Sequence, residues 1–109
     1  MKDREGAESR RQDMPLPSAE DGTIICVVQR LVGAGFVEAL CTDGETYMAR
    51  IPGKMRRKVW IKEGDVILLL PWGTKDRKGD IEHKYEKDEV RRLLDAGLIS
   101  EELLESAGV

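Results

Sequence analysis

The residues best equipped for chemistry stand in one block, Gly53-Lys54-Met55-Arg56-Arg57-Lys58-Val59-Trp60-Ile61-Lys62. From Arg50 to Lys62 there are six basic residues and no acid. Long cations that follow Pro52-Gly53 cannot all turn inward, because an unpaired buried charge is very costly. They must face water or a polyanion. Arginine forks match phosphate oxygens, lysines add point charge, and a neighbouring indole offers a plane on which a base can stack. The plain alternative is a solvated basic loop whose Trp60 belongs to the core. Lys75, Arg77, Lys78 and Lys84 extend the basic surface only if the fold brings them to the side of Arg50.

Other chemistry finds little to work with. His83 is the one histidine, and no serine or cysteine motif accompanies it as a nucleophile. Asp76, Asp80 and Glu82 could be imagined as metal-binding carboxylates, but they are interleaved with cations and read better as a solvated face. Gly33-Ala34-Gly35 lacks the lysine and the strand-to-helix context of a phosphate loop. Cys26 and Cys41 have neither zinc-ligand spacing nor companion histidines, so we expect free cysteines packed as small hydrophobes in a reducing cytosol. The expectation is therefore a protein that is not an enzyme and needs no cofactor or metal.

Charge is unevenly distributed. The net charge of the 109 residues is −3, yet residues 1–22 hold four basic and six acidic side chains and residues 87–109 hold three and six. Between them, residues 23–86 hold eleven basic and nine acidic. One basic patch thus sits in an acidic molecule, which matters more to a polyanion than the sum. The N-terminus shows no apolar leader, and the longest apolar run, Val66 to Leu70, is too short to cross a bilayer. A cytoplasmic protein with no membrane partner is expected.

Patterning supplies the elements that must position the block. Residues 1–20 mix charge with Pro15 and Pro17 and read as a disordered tail. A β-branched strand begins at Thr23 and stops at Gly33-Ala34-Gly35; Phe36 to Cys41 follows and ends at Asp43-Gly44, a strong hairpin cue, and Thr46 to Ile51 leaves that turn. Val66 to Trp72 and Asp80 to Tyr85 complete five strands, with Ile81, His83 and Tyr85 alternating against polar residues. From Lys87 the period becomes helical, with acids at the start, Gly97 as a stop and Ser100 as a second cap. The fold expected is mainly β: a five-stranded OB-fold barrel over residues 21–86, with a C-terminal helical extension and tail over 87–109.

Several of these segments together resemble a known family. Leu31-Val32-Gly33-Ala34-Gly35, Cys41-Thr42-Asp43-Gly44, Ile51 through Ile61, Gly64 through Leu68 and Asp80 through Tyr85 are similar to archaeal and eukaryotic translation initiation factor 1A, a relative of bacterial initiation factor 1. The resemblance implies a protein that occupies the aminoacyl site of the small ribosomal subunit by contacts to ribosomal RNA. It implies help with initiator tRNA binding and start-codon selection, alongside other initiation factors including the subunit-joining GTPase. Its RNA-facing positions would be Arg50, Lys54, Met55, Arg56, Arg57, Lys58 and Trp60, with Lys62, Lys84 and Tyr85. The mixed N-terminal tail and short C-terminal one are those of an archaeal-type member, expected to act as a monomer. A rival on a similar barrel is a cold-shock-like single-stranded RNA binder or RNA chaperone, which would rely on several exposed aromatics.

Overall fold

The computed structural model describes residues 14–58 and 60–107. Five strands close into a barrel: β1 (Ile24–Gly33), β2 (Phe36–Cys41), β3 (Thr46–Arg50), β4 (Val66–Pro71) and β5 (Lys78–Lys84), in the order β1-β2-β3-β5-β4. All neighbours are antiparallel except β3 and β5, which run parallel through Met48↔Lys78, Ala49↔Gly79 and Arg50↔Asp80. This is the five-stranded Greek-key barrel of an OB fold, and closure leaves no long edge strand open. A single-turn helix, α1 (Gly53–Lys58), joins β3 to β4, and α2 (Lys87–Asp95) and α3 (Glu101–Ser106) follow the barrel.

Two apolar cores explain the two kinds of strand. Alternate residues of β1 point opposite ways, so Cys26 and Val28 enter the barrel with Ile67, Leu69 and Ile81, while Ile25 and Val27 face out. Those outward residues, with Val66 and Leu68 of β4, are covered by Tyr85, Leu93, Ile99 and Ala107. Burial on both faces is why β1 and β4 are written as unbroken apolar runs rather than as alternation.

Three expectations need correction. Residues 1–13 of the expected tail lie outside the described residues, but the start of its described part is docked: Met14 packs on the second core and the Pro15 carbonyl accepts a hydrogen bond from the Tyr85 hydroxyl at 2.5 Å. Cys26 and Cys41 are not free. They face each other in the β1–β2 register, fully buried inside the barrel, and are joined by a disulfide. Finally, the strand over 80–85 does not keep one alternation. Leu68 pairs with His83 and Leu69 with Ile81, so Glu82 is an extra residue in β5. A bulge of this kind flips side-chain parity; Ile81 enters the barrel while Tyr85 joins the second core.

Candidate nucleic-acid interface

α1 presents its cations because one of its residues is apolar. The Pro52 carbonyl accepts from the amides of Met55 and Arg56, at 2.9 and 3.1 Å, which starts the turn. Met55 then packs against the barrel core beside Ile51, and Lys54 and Arg56 are left exposed. Met55, half-buried, thus anchors the helix on the barrel. Arg57 and Lys58 continue α1; their side chains lie outside the described ones.

Arg56 does two things. Its Nε donates to the Ile51 carbonyl at 3.2 Å, and its guanidinium lies over Gly35 at the tip of the β1–β2 hairpin, where a Cβ would collide with it. Gly35 holds φ +82°, and it is this backbone conformation that demands glycine, since the flexible Arg56 fork could move aside for a Cβ. The contact ties α1 to the hairpin and aims the helix.

Trp60 is 88% exposed, so the alternative in which it fills the core does not hold. An indole left in water at this degree is unusual for so large an apolar group. Its backbone is fixed from below: the Lys84 Nζ donates to the Trp60 carbonyl at 2.9 Å and lies 3.7 Å from Asp65 Oδ2. Asp65 is buried and also accepts from the Lys62 amide at 2.8 Å and from the Lys62 Nζ at 3.1 Å. Lys84 is therefore a clamp, its side chain only 18% exposed, while Lys62 keeps most of its length in solvent.

The remaining expected residues are placed elsewhere. Arg50, at the end of β3, pairs with Asp80 of β5 through Nε at 2.8 Å, and its guanidinium carbon lies 5.6 Å from the ring centroid of Trp72. Trp72 was not among the expected site residues; only its position beside a basic loop could have signalled it. Tyr85 is 3% exposed and has no surface to offer RNA, a correction. Burial, and then the nearby charge of Glu89, push its phenol pKa well above the ordinary value.

The rival catalytic groups are structurally occupied. His83 stacks edge-on against Tyr85, centroids 4.7 Å apart, and its Nε2 lies 3.2 Å from Glu89 Oε1. Asp80 is paired with Arg50, and Asp76 and Glu82 are exposed. Among the described residues no group of three His, Cys, Asp or Glu side chains could hold a metal ion, and no helix is long and apolar enough to cross a membrane. What the described site offers is two exposed cations, Lys54 and Arg56, and a few residues on in the chain an exposed indole, which is the chemistry of phosphate and base recognition.

Comparison with known proteins places the chain in a family. Residues 11–108 match the family model described as Translation initiation factor 1A / IF-1. The chain is 64% identical over 100 residues to translation initiation factor 1A of Aeropyrum pernix, covering 92% of this chain and 90% of that one. It is 45% identical over 94 residues to the factor of Metallosphaera sedula, covering 86% and 85%. With nearly its whole length matched, the chain belongs to the translation initiation factor 1A / IF-1 family.

Proposed function

We propose that the outer face of α1, with Trp60 beside it, binds ribosomal RNA of the small subunit at the aminoacyl site. From there the protein assists initiator tRNA binding and start-codon selection, in the company of other initiation factors including the subunit-joining GTPase. It acts as a monomer in the cytoplasm and catalyses no reaction. Lys54, Arg56, Arg57 and Lys58 supply phosphate contacts, with Lys62 at the margin, and Trp60 supplies a stacking plane. Arg50 and Lys84 serve the same surface from behind, by holding neighbouring parts in place. The observation that carries this reading is an indole 88% exposed directly after a basic helix, in a chain of this family.

The test is equilibrium binding to archaeal small ribosomal subunits and to naked single-stranded RNA across a salt series. Wild type is expected to bind subunits saturably and far more tightly than free RNA. If about five phosphates are contacted, log affinity should fall against log salt with a slope of roughly −3.5 to −4.5. Replacing Lys54, Arg56, Arg57 and Lys58 together by Ala should abolish binding, with the melting temperature checked because Arg56 also braces the hairpin. A folded variant that binds as tightly as wild type sinks the assignment of this face. Equal, weak binding of wild type to any RNA points instead to a cold-shock-like RNA binder.

A further inference from the structure

A second exposed indole stands just after β4. Trp72 follows β4 directly and is 41% exposed. Its amide donates to the Lys78 carbonyl at 2.8 Å, at the start of β5, whereas Trp60 is held by Lys84 at the end of β5. The backbones of the two tryptophans are therefore tied to opposite ends of β5.

Trp72 is held in place rather than merely exposed. The loop that bears it is closed on its far side by the Met48 amide, which donates to the Arg77 carbonyl at 2.9 Å. The Arg50 guanidinium lies over one face of the indole at cation–π distance, 5.6 Å to the centroid. Arg50 is fixed in turn by Asp80, its partner in the parallel β3–β5 register, through a 2.8 Å ion pair. Asp80 already balances the charge of Arg50, so that guanidinium is better suited to positioning the ring than to gripping phosphate. An aromatic plane braced on one face, on a backbone already tied down, loses little entropy when a flat ligand settles on its other face. Two cations belong to the same β4–β5 connection, Lys75 in the loop and Lys78 at the start of β5, and neither is ion-paired with another described residue.

We propose that Trp72 is a second base-stacking platform: an unpaired nucleobase of the ribosomal RNA lies on the indole face away from Arg50, and Lys75 and Lys78 meet its flanking phosphates. This rests on the ribosomal-RNA reading above and adds to it a separate point of contact. Arg50 is its positioning residue. Stacking tolerates any base, because every base has a π-face, so the platform recognises an unstacked nucleotide rather than a particular sequence.

The experiment measures affinity of wild type, Trp72→Leu and Trp72→Phe for small ribosomal subunits of Aeropyrum pernix across a salt series, with melting temperatures in parallel. Leu keeps apolar bulk but has no π-face; Phe keeps a ring. Trp72→Leu should bind roughly 5- to 150-fold more weakly, and Trp72→Phe should recover most of that loss. The salt slope should be the same in all three, since stacking releases no counterions. Wild-type affinity of Trp72→Leu, a Phe variant as weak as the Leu one, or a shallower slope would each overturn the platform while leaving the α1 interface standing. Wild type that fails to bind subunits overturns the ribosomal-RNA reading, and the platform with it.

Discussion

Tyr85 spends its hydroxyl on a carbonyl seventy residues earlier in the chain, that of Pro15, and so fastens the N-terminal segment to the second core. Burial is the main cause of its raised phenol pKa, with Glu89 adding to it. Because the folded value lies above the unfolded one, ordinarily about 10, the folded state holds the proton longer. The stabilising contribution is full below pH 10 and is lost as pH rises from there towards the folded value. We expect Tyr85→Phe to cost about 1 kcal/mol at pH 7, for the lost hydrogen bond. Above pH 10 the stability of wild type should fall more steeply than that of the variant, by about 1.4 kcal/mol per pH unit. Urea unfolding from pH 7 to 11 reads both effects, and parallel alkaline limbs would show that the phenol is not held as described. At this scale the sequence allowed Tyr85 either direction. Resemblance put it at the RNA surface, and only the packing of Leu93 and Val66 around it reveals the inward turn.

Elements were more legible than residues, since most are bounded by local chemistry. Asp43-Gly44 makes the β2–β3 turn, with the Glu45 amide donating to Asp43 Oδ1 at 2.9 Å, and Ser100 caps α3 by accepting from the Leu103 amide at 3.0 Å. The bulge at Glu82 and the Cys26–Cys41 pairing were not legible, because each depends on which strand lies alongside, and no local residue type announces that. The Arg50–Trp72 contact was hidden for the same reason: it needs β3 beside β5, a pairing of strands distant in sequence. Gly97 shows the local case at its clearest. It sits at φ +76° after α2, its amide donating to the Leu94 carbonyl while the Leu98 amide reaches the Leu93 carbonyl, both at 3.0 Å. This double bond pattern is a Schellman stop. A Cβ at Gly97 would touch nothing within 4 Å, so substitution there carries backbone strain alone. Gly97→Ala should therefore cost roughly 1–2 kcal/mol, and Gly97→Asn less, since Asn tolerates the left-handed region. Urea midpoints that fall for Ala, and less for Asn, with an unchanged slope would support the cause; equal stability of Ala and wild type would contradict it.

For the molecule as a whole, the barrel and its helical extension share one of the two cores, which bears on whether residues 21–86 form a domain by themselves. The outward faces of β1 and β4 carry Ile25, Val27, Val66 and Leu68, each at most 3% exposed, and Leu93, Ile99 and Ala107 from residues 87–109 are among the residues that cover them. Uncovering an aliphatic side chain costs roughly 1.5–3 kcal/mol. Even at the low end, four such residues amount to about 6 kcal/mol, comparable with the entire stability of a small domain, about 5–15 kcal/mol. The uncovered surface would also be a contiguous apolar patch on strands, a setting that favours aggregation. A chain ending at Glu86 should therefore fail to give a cooperative melt and should elute as aggregate in size-exclusion chromatography, although every residue of α1 and both tryptophans are kept. A truncated barrel that melts cooperatively as a monomer would show instead that the helices are an appendage, and that the RNA-binding surface can be studied without them.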